Sequence, residues 1–212
     1  PMADFIDIFL LGEGEEMNNE LLALLRTAKA EGWSKQAFLE KASQIGGVYV
    51  PSFYKPVYND DCTINHFDVH PGAPEKVTKR IIADMNSVHF PLSPIVPSTE
   101  VVHDRVNLEL FRGCVRGCRF CQAGHVYRPI RAKSPELLAE QGKALLKNTG
   151  CQDITLLSLS SSDYRCLSEL CDELLGYCEP RSIGLSLPSL RADNFSMDIM
   201  HRIQKTRKSG LT

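Results

Sequence analysis

The sequence predicts an α/β protein whose C-terminal half is a partial (β/α) TIM-like barrel, preceded by the end of another α/β domain. Three observations predict this. Beyond residue 101, short apolar runs alternate with amphipathic helical patterns at the spacing of parallel βαβ units, which take right-handed crossovers. Before residue 50, one apolar run precedes two helical patterns, too little to bury a core alone. Between them, residues 51–100 hold seven of the twelve prolines (51, 56, 71, 74, 91, 94, 97), where missing N–H donors and fixed φ exclude long helices. The expected division is therefore 1–50, the remnant of a first domain, 51–100, an extended connector, and 101–212, the barrel segment. A closed eight-stranded barrel takes ~250 residues, so this segment is at most half of one, and the chain is expected to be a piece of a longer protein.

Each element has its own signal. Phe5–Leu11 is apolar and precedes the turn Gly12-Glu13-Gly14-Glu15, as a buried strand entering a loop would. A helix is expected over 18–30, capped by Asn18 or Asn19, with Leu21, Leu22, Leu24, Leu25 and Ala28 inside and Gly32 as its stop. A short helix follows Ser34. Within the connector, residues 79–84 are the one strand candidate. Val106–Leu110 is the first barrel strand. Ser134-Pro135 opens a helix as N-cap and first helical residue, and Gly150 ends it. Residues 153–159 form the next strand. Apolar positions 167, 170, 171, 174, 175 and 178 then trace one helical face, closed by Pro180. Residues 182–187 are a third strand, and a helix from about Ser196 to Gly210 precedes a fourth at Leu211.

Composition narrows the class. With 24 basic and 26 acidic residues the formal charge is −2, and 43% of the 212 residues are hydrophobic, which excludes disordered and collagen-like chains. No run approaches ~18 consecutive apolar residues, so no membrane-spanning helix is expected. The start has no signal-peptide pattern, and the chain is expected to be cytoplasmic. In a reducing compartment, eight cysteines point to metal or redox chemistry before disulfides.

Three of those cysteines carry the sharpest signal. Cys114, Cys118 and Cys121 have the spacing C-x3-C-x2-C on a glycine-containing loop directly after a predicted strand. Three thiolates there can converge on one iron–sulfur cluster. A four-iron cluster would then keep one iron without a protein ligand, open to a substrate or cofactor. Structural zinc is the alternative, with His125 completing a Cys3His set.

The spacing, with an aromatic residue (Phe120) just before the third cysteine and a following βα series, resembles the radical S-adenosylmethionine (SAM) superfamily. The resemblance implies a 4Fe–4S cluster on Cys114, Cys118 and Cys121. It implies SAM on the open iron, reductive cleavage to a 5′-deoxyadenosyl radical, Phe120 beside the adenine, and an electron donor of flavodoxin or ferredoxin type. Gly12–Glu15, Ser186–Arg191 and Ser209–Thr212 are similar to segments of the cobalamin-associated subfamily. Residues 1–50 would then end a Rossmann-like cobalamin-binding domain, and cobalamin would be possible in the full-length protein. Where the superfamily often has Gly-Gly-Glu after the second strand, this chain has Ser158–Asp163. Ser160 and Ser161 are candidates for contacting SAM there, or else an N-cap run for the next helix. Arg191, beyond the third strand, is a candidate for the SAM carboxylate through its planar fork, or else a solvated arginine.

Other features receive plainer assignments. Asp68-Val69-His70-Pro71-Gly72 departs from the cobalamin motif D-x-H-x-x-G by its early glycine and is expected to be a loop. Cys171 and Cys178 fall on an apolar helix face as small hydrophobes. Residues 104–133 hold seven basic residues (Arg105, Arg112, Arg116, Arg119, Arg128, Arg131, Lys133). They could meet RNA phosphates, offset thiolate charge or form a solvated face. Two functions follow: a radical SAM enzyme of unspecified substrate, or a non-catalytic zinc or iron–sulfur module that binds nucleic acid through its basic loop.

Overall fold

The Gly12–Glu15 turn starts a helix earlier than the asparagines do. In the computed structural model, which describes residues 2–191, 193–194 and 197–206, β1 (Phe9–Leu10) leads into α1 (Gly14–Glu31), with Glu13 at the N-cap position. The Glu13 carboxylate accepts the Ile82 N–H at 2.5 Å, while Glu15 and Glu16 face the positive end of the helix. Asn18 and Asn19 are consequently internal, and the Asn19 amide donates to the Glu15 carbonyl. Gly32 stops α1 as expected. Ser34 caps α2 (Lys35–Ala42) by accepting the Ala37 N–H at 3.2 Å.

β1 pairs antiparallel with β2 (Val48–Tyr49), Phe9 opposite Tyr49. The strand expected over Phe5–Leu11 thus shortens to two residues; with so brief a partner, Phe5 lies exposed. Residues 51–83, expected to be extended connector, instead carry the antiparallel hairpin β3 (Tyr54–Tyr58) and β4 (Ile64–Val69). Pro56 is tolerated in β3 because a two-stranded hairpin leaves its other side unpaired. The strand expected at 79–84 does not form; Arg80 makes one bridge with Gly12 and its guanidinium spans Glu16 and Glu20, both at 2.7 Å. Met17, Leu39, Ala42, Val48, Val50 and Phe53 bury the core of this unit. Its strand pairs are antiparallel, so the parallel Rossmann-like sheet expected in 1–50 is not found among the described residues. The chain divides into two compact units, Pro1–Ala83 and Asp84–Thr212.

The second unit has the expected alternation. β5 (Val106–Glu109) and the short β6 (Phe111–Arg112) precede the cysteine loop, which contains α3 (Ala123–Val126) and returns through β7 (Arg131–Ala132). Then follow α4 (Pro135–Thr149), β8 (Asp153–Leu157), α5 (Leu167–Cys178), β9 (Gly184–Ser186) and α6 (Met197–Thr206). β5, β8 and β9 form a parallel sheet in that order, with Leu108 opposite Leu156 and Ile154 opposite Leu185. Ser134 caps α4 by accepting the Leu137 N–H at 3.3 Å, and Gly150 ends it at φ 74°. Leu138, Leu145 and Leu146 of α4, Leu170, Leu174 and Leu175 of α5, and Leu108, Ile154 and Leu156 of the sheet fill one core. Each such side chain contributes about 1.5–3 kcal/mol by burial.

Strand ends differ from expectation for local reasons. β8 stops at Leu157 because Leu157 and Leu159 are exposed where the chain turns. β9 starts late because Ser182 is left-handed (φ 56°). The expected features at Ser196, Gly210 and Leu211–Thr212 lie outside the described residues. The described sheet is an open arc of parallel strands, not a closed barrel. Among the described residues, no helix is long and apolar enough to cross a membrane.

Candidate functional site

Polar side chains collect where the parallel strands end, and the cysteine loop is held at that end. β6 and β7 pair antiparallel (Phe111 with Ala132, Arg112 with Arg131) and so pinch the base of residues 113–130. Phe111 is buried and stacks on Tyr164, centroids 6.4 Å apart; the Tyr164 hydroxyl donates to the Lys133 carbonyl at 2.8 Å. Gly113 opens the loop at φ 98°, with the Tyr127 and Pro129 carbonyl oxygens where a Cβ would stand. Arg128 ties the interior together, donating to the carbonyls of Gly124 (2.6 Å) and Val115 (3.1 Å).

Cys114 is buried, Cys118 and Cys121 are half-buried, and all three are free thiols. The Cys121 N–H donates to the Cys118 carbonyl at 3.0 Å in a tight turn. In this conformation no three His, Cys, Asp or Glu side chains among the described residues stand close enough together to hold a metal ion. The loop brings the thiols to one place in the fold without drawing their sulfurs to one point. The Cys3His zinc set is likewise not assembled, and His125 is exposed.

Around the loop runs a charged lattice that the sequence did not disclose. Arg116, inside the C-x3-C step, grips Asp163 with both arms of its guanidinium, Nε to Oδ2 at 2.9 Å and Nη2 to Oδ1. Asp163 follows β8. Asn194, beyond β9, donates to the Asp163 carboxylate (3.2 Å) and to the Ser162 carbonyl (2.8 Å). The Arg116 guanidinium therefore holds the Asp163 carboxyl far below the usual carboxylate range. Arg191 forks onto Asp193 (2.9 and 2.7 Å), and its Nη1 donates to Cys118 Sγ at 3.7 Å. Those contacts raise Arg191 and lower Asp193 from their ordinary values. Three loops, the cysteine loop and those after β8 and β9, are thus cross-linked at one end of the sheet.

The other residues singled out by sequence fall as follows. Ser160 is buried and no hydrogen bond of ordinary geometry reaches its hydroxyl, though it lies close enough to help hold Asp163 down. Ser161 is also buried, but its hydroxyl contacts Ser158 Oγ (3.0 Å) and donates to the Leu156 carbonyl (3.3 Å). The serine run does not cap α5, whose N-cap residue is Cys166; it forms a single 3-10 turn over Ser161–Asp163. Phe120 is 93% exposed. Beside the lattice a cleft of about 140 Å³ is lined by Ser162, Leu167, Leu187, Leu190, Asn194, Ile199 and Met200.

Most of the basic stretch is engaged within the protein, though Arg105, Arg119 and Arg128 are exposed. Arg112 pairs with Glu109 at 2.8 Å, Arg116 and Arg128 act as described, and Arg131 donates to the Pro129 carbonyl. Lys133 is buried against Gln141 (3.2 Å) and over the Phe90 ring (4.2 Å); burial lowers its pKa. Arg119, between the second and third cysteines, is exposed. In the first unit, Asp68 lies at the end of β4, and His70 stacks on Phe53 at 4.5 Å. Sequence reasoning missed Asp163, Asp193 and Asn194. Asp163 ends the serine run already singled out, but nothing local ties it to Arg116, 47 residues away.

Parallel βα units with a three-cysteine loop after the leading strand define a class, and comparison with known families agrees. Residues 108–211 match the radical SAM superfamily, and residues 1–51 match the N-terminal region of radical SAM proteins. The chain carries N-terminal and core domains of the radical SAM superfamily. That family implies a 4Fe–4S cluster, SAM and an external electron donor. Among curated proteins the chain is similar to an uncharacterized protein of Methanocaldococcus jannaschii, 28% identical over 211 residues and 98% of this chain. The chain spans 38% of that relative's length. Residues 1–51 thus match a radical SAM N-terminal region where the end of a cobalamin-binding domain was expected.

Proposed function

We propose that this chain is part of a radical SAM enzyme that cleaves SAM reductively to a 5′-deoxyadenosyl radical, with Cys114, Cys118 and Cys121 as the cluster ligands. The observation that carries this is the position of the cysteine loop. It is pinned at the C-terminal end of the parallel strands, where βα loops collect chemistry, and Arg191 reaches one of its thiols. When bound, a 4Fe–4S cluster supplies the electron and an iron free to take the methionyl end of SAM.

The residues present suit that partner. Three free thiols on one loop provide a soft donor set for iron–sulfur chemistry. The buried Ser160 hydroxyl, beside Asp163 at the strand end, offers a contact to a polar ligand group. Arg191 offers a fork to a carboxylate, in exchange for Asp193. Phe120, exposed between the second and third cysteines, offers a ring face to adenine. Ser161 serves the turn itself. Cobalamin has no support in the antiparallel first unit, where His70 packs on Phe53.

Anaerobic reconstitution with iron and sulfide tests the proposal. About four irons and four acid-labile sulfides per chain are expected, with loss of both in Cys118→Ala. One zinc per chain, dependent on His125, would replace this function by that of a zinc module.

A further inference from the structure

We infer that Arg116 and Asp163 are positioning residues: their two-point ion pair clamps the cysteine loop to the end of β8 and sets where the three thiols stand. The inference rests on the reading of those cysteines as cluster ligands, and extends it to residues that touch neither cluster nor SAM.

The geometry singles out this pair. Arg116 lies two residues from both Cys114 and Cys118, so fixing its position restrains the short stretch that carries both cysteines. Its carbonyl oxygen lies 2.1 Å from where a Gly124 Cβ would stand, so the backbone at 116 is packed against the opposite limb of the loop. The side chain leaves the loop and takes both oxygens of Asp163, whose own side chain is only 10% exposed. Asp163 is fixed in turn by the 3-10 turn after β8, whose Ser161 N–H donates to the Ser189 carbonyl, and by Asn194. A planar fork on a mostly buried carboxylate fixes orientation as well as distance. Exposed pairs such as Lys143–Glu173, between α4 and α5, lack that restraint. Arg191 reaches Cys118 Sγ from the same side, so the clamp and the thiol contact act on one short stretch of chain. Outer contacts of this kind orient metal ligands, and their loss commonly costs ~10–100-fold in affinity.

The test compares wild type with Asp163→Asn, Arg116→Ala, Arg116→Lys and the exchanged pair Arg116→Asp with Asp163→Arg; Glu173→Gln serves as control. Two readouts are used: alkylation of Cys118 by iodoacetamide in the metal-free protein, followed by mass spectrometry, and iron loss to a chelator with the g-values of the reduced cluster. Asp163→Asn and Arg116→Ala change the local charge in opposite directions. If the clamp positions the thiols, both speed Cys118 alkylation, and both speed iron loss about 10-fold or more. The exchanged pair recovers part of each, and Arg116→Lys falls between. Opposite effects of Asp163→Asn and Arg116→Ala on alkylation would show a charge effect alone and overturn the clamp. So would a lower melting temperature with unchanged alkylation and g-values. If a truncating variant fails to fold, Arg116→Lys and the exchanged pair decide on the same readouts. If wild type takes up no iron, the proposed function fails, while alkylation of the metal-free protein still decides the clamp.

Discussion

Replacing Gly113 by alanine should open the cysteine loop. Gly113 sits at φ 98°, and an added Cβ would lie 2.4 Å from the Pro129 carbonyl oxygen and 2.5 Å from that of Tyr127. An ordinary carbon–oxygen contact is about 3.3 Å, so both carbonyls would have to retreat by nearly 1 Å. Neither can do so freely. They belong to the limb that returns into β7, which is paired with β6 on the other side of Gly113. Backbone strain of about 1–3 kcal/mol and overpacking of about 1–3 kcal/mol together make about 2–6 kcal/mol. That is a large share of the 5–15 kcal/mol that holds a typical domain folded. The assay is urea unfolding followed by two probes. Far-UV circular dichroism reports both units, whereas fluorescence of Trp33, the chain's single tryptophan, reports the first. The expected result is loss of the second unit's transition, or its shift to much lower urea, with the Trp33 transition unmoved and cluster uptake abolished. A Gly113→Ala protein with the wild-type urea profile and full iron content would refute the reasoning.

Three further outcomes follow from the same geometry. Because Arg116 holds the Asp163 carboxyl below its ordinary ~3.9, the unfolded chain binds more protons in acid. The pair's stabilisation is present above about pH 4 and is lost as pH falls further; Asp163→Asn should flatten this acid limb in urea titrations between pH 2.5 and 6, and an unchanged slope would count against it. Burial pushes the Cys171 thiol up to about 12 and Cys178 up to about 11. Iodoacetamide at pH 8 should therefore label exposed Cys62 and spare both until the protein is denatured, as peptide mapping would show. Phe120→Ala, at an exposed position, should change stability by less than about 0.5 kcal/mol yet weaken SAM binding to the reconstituted protein in a titration; unchanged binding would remove Phe120 from the adenine site.

The parallel βα half was legible because its rules are local. Ser134-Pro135 and Gly150 bound α4 through capping and φ preferences, and the 167–178 periodicity gave the buried face of α5. The first unit was less so. At its helix start, Glu13 meets the Ile82 N–H, 69 residues away, and no periodicity reports such a contact. The β3–β4 hairpin was masked by proline counting, since Pro56 costs nothing on an unpaired edge. The site divided in the same way. Cys114, Cys118 and Cys121 stand out by spacing, whereas Asp163 and Asn194 acquire meaning only once the fold sets them against Arg116. The basic stretch left its role open for the converse reason. A count of basic residues cannot show that Lys133 is buried against Gln141 or that Arg128 is spent on carbonyls of its own loop.

The most direct test is the electron paramagnetic resonance spectrum of the anaerobically reconstituted, dithionite-reduced protein, recorded with and without SAM. The account predicts a reduced 4Fe–4S signal whose g-values shift when SAM is added and which is absent in Cys118→Ala. A cluster signal that SAM leaves unchanged, or a protein that carries zinc and gives no signal, would contradict it.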